Sequence, residues 1–128
     1  MDQPPDVTSP AMHVLGHHLY EYDKGVRQMV LMTTSARDVD LVTRRLTERC
    51  VDYYVQAVSA SKFNVFFGRP AWIETVRNVV RKPLNQLSAE EDFMLGILLG
   101  YDKEKQCLRF LSMTKAGRRA GAAAEPVS

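Results

Sequence analysis

The sequence predicts an α/β fold of the α+β kind: a three-stranded, mainly antiparallel sheet on a βαββα core, half of a ferredoxin-like plan, with one segment before it and two helices after it. Three observations predict it. A strand-like run at 26–33 is followed by a helical stripe. Two alternating runs, 51–58 and 63–67, are separated by only four polar residues. The helices that follow open on a proline or a capping signature. With 128 residues the chain has room for one core. Its 45% hydrophobic and 25% charged residues are the balance of a folded chain and not of a disordered one.

Residues 1–12 carry three prolines and few large apolar groups, so they are expected to form a flexible lead to a single domain over 13–114. A small-residue-rich tail, 115–128, is expected to be flexible as well. The first structured segment, HHLYEYDKG, reads two ways: Leu15, Leu19 and Tyr22 suit a helix, whereas the alternation of Leu19 and Glu21 with Tyr20 and Tyr22 suits a strand. Gly25 ends it in either case, as a helix terminator or a turn residue.

The run VRQMVLMT at 26–33 mixes β-branched and long apolar residues and reads as a strand covered on both faces. Ser35, with Asp38 three residues later, has the form of a capping box, so a helix is expected to start there. That helix lines up Val39, Val42, Leu46 and Cys50 toward the sheet, with Arg37, Arg44, Arg45 and Glu48 off the stripe and Leu41 on the far side. The runs VDYYVQAV and FNVFF then form a hairpin across Ser59–Lys62. Right-handed crossover places the 26–33 strand beside the 63–67 strand, antiparallel to it, with the 51–58 strand on the far edge.

Gly68 breaks the strand, and Pro70 opens a helix to about Val80 that buries Trp72, Ile73, Val76, Val79 and Val80, with Pro83 preventing its continuation. Ser88 and Glu91 make a second capping box before EDFMLGILLG, a helix that is apolar all round and so must be covered on most sides. Gly96 there implies close helix packing. Gly100 terminates that helix and Asp102 caps the last one, which is expected to bury Cys107, Leu108 and Leu111 while Lys103 and Lys105 stay solvated.

The stretch 17–111 resembles an uncharacterised bacterial family known as domain of unknown function 2023. The matching residues are HHLYEYDKGVRQMVLMT, VDYYVQ, NVFFG and, most specifically, KPLNQLSAEEDFMLGILLGYD with the QC pair at 106 and 107. The resemblance implies three strands and about five helices in a homodimer, and it turns HHLYEYDKG from strand toward helix. It also implies the company of a flavodoxin and of iron-poor growth, but no activity. One departure is Cys50, where the resemblance leads us to expect a glycine, which would take a helix-ending conformation more cheaply.

No catalytic signature is present, and the protein is expected to be non-enzymatic and to need no cofactor. Metal or thiol chemistry would rest on His17, His18 and Cys107, but adjacent histidines diverge on a helix or a strand, and a buried thiol is ordinarily a small apolar side chain. Glu90, Glu91 and Asp92 are explained by the helix dipole alone. The net charge is only +2, with part of the excess in the tail. Nucleic acid is therefore not an expected partner, although Arg44, Arg45, Arg49 and the tail would be its contacts. Two cysteines and no basic-then-apolar leader fit the cytoplasm. The uncharged run 93–101 is far below the roughly 20 residues that span a bilayer, so no membrane is expected.

What remains is surplus apolar surface. A three-stranded sheet covered on one face leaves Met29, Leu31, Tyr54 and Phe66 on the other, to be covered either by the first and last helices of the same chain or by a partner, and the all-round apolar helix adds more. Tyr54, Phe66, Met94, Leu98 and Leu99 are accordingly the expected interface of a homodimer that binds protein.

Overall fold

The computed structural model describes the backbone of residues 9–124 and the side chains of 9–116. Its elements run α1 (Pro10–Asp23), β1 (Met29–Ser35), α2 (Val39–Glu48), β2 (Asp52–Ala57), β3 (Lys62–Gly68), α3 (Pro70–Val79), a 3-10 turn (Leu84–Gln86), α4 (Ala89–Leu98) and α5 (Lys103–Ala124). The chain divides into two compact units, the first ending at Asn78 and the second beginning at Val79.

In the first unit the sheet order is β1-β3-β2, antiparallel throughout, as expected from the sequence. One sheet face carries Val30, Met32, Val65 and Phe67. These pack with Met12, Leu15 and Leu19 of α1 and with Val42 and Leu46 of α2. The ambiguous first segment is a helix because its 12, 15, 19 spacing meets this face, which a strand's alternation could not. It starts at Pro10, inside the stretch expected as lead, with Pro10 at the position where a missing amide is harmless and Met12 already buried. The preceding lead, 1–8, lies outside the described residues. The expected tail contains the last turns of α5, which runs to Ala124.

Two sequence expectations for α2 are corrected. The Ser35–Asp38 pair forms a turn in front of the helix: the Asp38 amide donates to the Ser35 hydroxyl at 3.2 Å and to its carbonyl at 3.1 Å, while Ser35 itself completes β1. Helix geometry therefore begins only at Val39. Leu41 is half-buried against the core and not on an exposed side.

The other sheet face carries Met29, Leu31, Thr33, Asn64, Phe66, Tyr54 and Gln56, in that cross-strand register. Thr33 donates to Asn64 at 2.8 Å, and Asn64 is buried. Tyr54 stacks on Phe66 with ring centroids 5.9 Å apart, and the Arg77 guanidinium of α3 sits 5.4 Å above the Tyr54 ring. Arg77 also donates to the Tyr53 carbonyl at 2.8 Å, satisfying one group on the outer edge of β2.

Three helices end in the same way. Gly25, Cys50 and Gly100 are in the left-handed region at φ 77°, 55° and 77°. At each, the next residue's amide bonds back five residues and the residue's own amide bonds back three, closing the last turn: Val26 to Glu21 and Gly25 to Tyr22, Val51 to Leu46 and Cys50 to Thr47, Tyr101 to Gly96 and Gly100 to Ile97. Cys50 thus occupies a position that favours glycine, and it ends α2 instead of extending its buried stripe.

In the second unit, the Ser88 hydroxyl accepts from the Glu91 amide at 3.1 Å and the Glu91 carboxylate accepts from the Ser88 amide at 2.8 Å. This is the capping box the sequence predicts. The Lys105 amide donates to the Asp102 carboxylate at 2.9 Å, so Asp102 starts α5 as expected. Helices α4 and α5 pack through Phe93 against Phe110 at 5.6 Å and through two Asp92–Arg109 bonds of 2.7 and 3.0 Å. A Cβ on Gly96 would lie 2.0 Å from the Gln106 amide oxygen, which explains the glycine by close packing.

Candidate functional site

The histidines lie on α1, on adjacent positions that a helix turns about 100° apart. Their rings are 6.1 Å apart and tilted by 53°. Both approach the same carboxylate: His17 Nε2 is 3.3 Å and His18 Nδ1 is 4.0 Å from Glu21 Oε1, while Arg27 Nε is 3.8 Å from Glu21 Oε2. His17 is exposed. His18 is partly buried, and its Nδ1 has no hydrogen-bond partner. Burial holds the His18 pKa below its ordinary value, aided by Arg27 and opposed by Glu21. One carboxylate serving three cationic or potentially cationic neighbours is a charge cluster, not a metal-ligand set. Among the described residues no group of three His, Cys, Asp or Glu is placed to hold a metal.

Both cysteines are free and exposed. For Cys107 this is a correction. The stripe of α5 that turns inward is Gln106, Phe110, Met113 and Thr114, whereas Cys107, Leu108 and Leu111 face solvent. The physical reason lies on α4, where Phe93 and Gly96 select Phe110 and Gln106 as their partners. Cys50 borders an open hollow of about 540 Å³ with Thr47, Val51, Asp52, Tyr53 and Arg77. The strongest donor there, Arg77, is already committed to the Tyr53 carbonyl and the Tyr54 ring. Two basic residues in and after α2 are similarly engaged: Arg45 pairs with Glu48 at 3.6 Å, and Arg49 with Asp23. Arg44 is exposed.

The expected interface residues separate into two groups. Phe66 and Leu99 are buried within the single chain, and Tyr54 is half-buried between Phe66 and Arg77, so these three offer a partner little surface. Met29 is buried too, and the supposed bare sheet face is therefore not one. Other side chains of the second unit stay exposed. Met94 is 45% exposed, Tyr101 47%, Leu108 60% and Leu111 58%, with Leu98 half-buried. Among the described residues these are four of the eight exposed large apolar side chains, gathered on two packed helices and the turn between them; the others are Val14, Tyr20, Val26 and Val58 of the first unit.

Tyr101, Leu108 and Leu111 are absent from the interface expected from sequence. For the two leucines a signal existed: in α5 the apolar positions 107, 108, 110, 111 and 113 span more than one stripe, so a helix packed on one side must leave some of them outside. Among the described residues no helix is long and apolar enough to cross a membrane, so this apolar surface does not belong to a spanning segment.

Residues 13–113 fit the family model described as a protein of unknown function, DUF2023. No curated protein matches the chain.

Proposed function

Because the chain belongs to the DUF2023 family and takes no assigned activity from it, we propose that it is a non-enzymatic homodimer that binds protein, its C-terminal helices supplying the surface between copies. The observation that supports this is the exposure of Met94, Tyr101, Leu108 and Leu111 on α4, the turn after it and α5. Burying such side chains is favourable by about 25 cal/mol per Å² of apolar area removed from water. The opposite faces of the two helices are fixed to each other by Phe93–Phe110 and Asp92–Arg109, so the exposed side is presented on a preformed support. An accessory role toward a flavodoxin is the natural extension of this reading.

Size-exclusion chromatography with light scattering tests the dimer. The expected mass at micromolar concentration is twice the 14.5 kDa of one chain, and a strict single-chain mass overturns the reading. The flavodoxin extension predicts saturable binding in a titration with a purified flavodoxin. A flat titration removes it without touching the dimer.

A further inference from the structure

Resting on the homodimer reading and giving it a geometry, we propose that the partner of the exposed face of α5 is α5 of a second copy, antiparallel, about a twofold axis between Leu108 and Leu111. The outward line of α5 is Glu104, Leu108, Leu111 and Lys115, all exposed, in the 4-3-4 spacing that keeps one seam of a helix facing a partner helix. Cys107 and Ser112, flanking this line on either side, are small and exposed, so they let a second helix approach closely.

A twofold interface is self-complementary: if one position meets a second, the second meets the first. An axis midway between the leucines sets Leu108 against the partner's Leu111, and Leu111 against the partner's Leu108. That same axis, without adjustment, sets Glu104 against the partner's Lys115 at one end and Lys115 against the partner's Glu104 at the other. The line is therefore apolar at its centre, with opposite charges meeting at both ends. A parallel pairing in register would put Glu104 on Glu104 and Lys115 on Lys115, so the charges select the antiparallel orientation. Glu104 lies in the first turn of α5 and Lys115 three turns later, which makes the seam about 16 Å long.

Charge reversal tests the register. In sedimentation equilibrium at low ionic strength, Glu104→Lys and Lys115→Glu should each raise the dimer Kd about tenfold, because each places two like-charged pairs across the axis. The Glu104→Lys/Lys115→Glu double variant should return to within about threefold of the native Kd, although it keeps the unfavourable lysine at the helix start. Leu111→Glu should be monomeric. Single reversals without effect, or a double variant no better than the singles, overturn the α5 pairing. If the native chain is then still a dimer, the homodimer reading stands and only its geometry falls. A monomeric native chain sinks both.

Discussion

Cys50→Gly should stabilise the protein. Cys50 ends α2 at φ 55°, with its amide bonded to Thr47 and the Val51 amide bonded to Leu46, the same pattern that Gly25 and Gly100 complete at φ 77°. A side chain in the left-handed region costs roughly 1–2 kcal/mol through the approach of Cβ to the carbonyl oxygen. Against this, glycine gives the unfolded chain more freedom, worth about 0.5–1 kcal/mol. The Cys50 side chain is exposed, so its removal sacrifices little packing. The net expectation is a gain of about 0.5–1 kcal/mol, or some 2–6 °C in Tm for a chain of this size. The assay is urea unfolding under reducing conditions, read by far-UV circular dichroism, with Cys50→Ala alongside. Alanine keeps the strained φ and should show no gain, and Cys50→Val should lose stability because branching at Cβ worsens the contact. A Cys50→Gly protein no more stable than Cys50→Ala would mean that the left-handed backbone at this position carries no such cost.

Gly68 should tolerate no side chain: it sits at φ 155° in the central strand, and a Cβ there would lie 2.3 Å from the Gln28 carbonyl oxygen and 2.7 Å from the Met29 Cα. Backbone cannot swing aside, so Gly68→Ala should cost about 2 kcal/mol or more in the same unfolding assay, and a neutral result contradicts the close approach of β1 to β3. His18 makes stability depend on pH. Its pKa in the folded state lies below the ordinary 6.5 because of burial and Arg27, so the unfolded chain binds the proton first. The stabilisation is present above about pH 6.5 and declines as pH falls toward the lowered folded value. His18→Gln should flatten the unfolding free energy between pH 7 and 5 relative to the native chain, and an unchanged slope would count against the burial of this imidazole.

Much of the fold was legible because local rules and global packing agree. The β1-β3-β2 order is the one predicted from the succession of strands and helices, and the Ser88–Glu91 box and the Asp102 cap appear where their side chains require. The first segment stayed open because Gly25 ends a helix and a hairpin strand equally well. Only Met12, Leu15 and Leu19 meeting one sheet face decide it. The start of α2 was misplaced because a serine and an aspartate three apart bond identically in a turn and in a cap.

The candidate site was harder to read. Leu108 and Leu111 look like core in an apolar helix, and what turns them outward is tertiary: Phe93 and Gly96 on the neighbouring helix claim Phe110 and Gln106. Phe66 misled in the opposite direction. Counting strands leaves a bare sheet face, but the side chain is fully buried by its own chain, and Tyr54 lies between it and the Arg77 guanidinium. The apolar side chains that stay exposed lie elsewhere, among them Met94, Leu108 and Leu111.

If the exposed leucines of α5 are a surface made for association, sedimentation velocity over a dilution series of the native chain beside Leu108→Ser/Leu111→Ser will show it. The native chain should move from one chain mass to two as concentration rises through the micromolar range, while the double variant keeps its fold and stays at one. A native chain that sediments as a single copy throughout, or a double variant that associates as readily as the native protein, would contradict it.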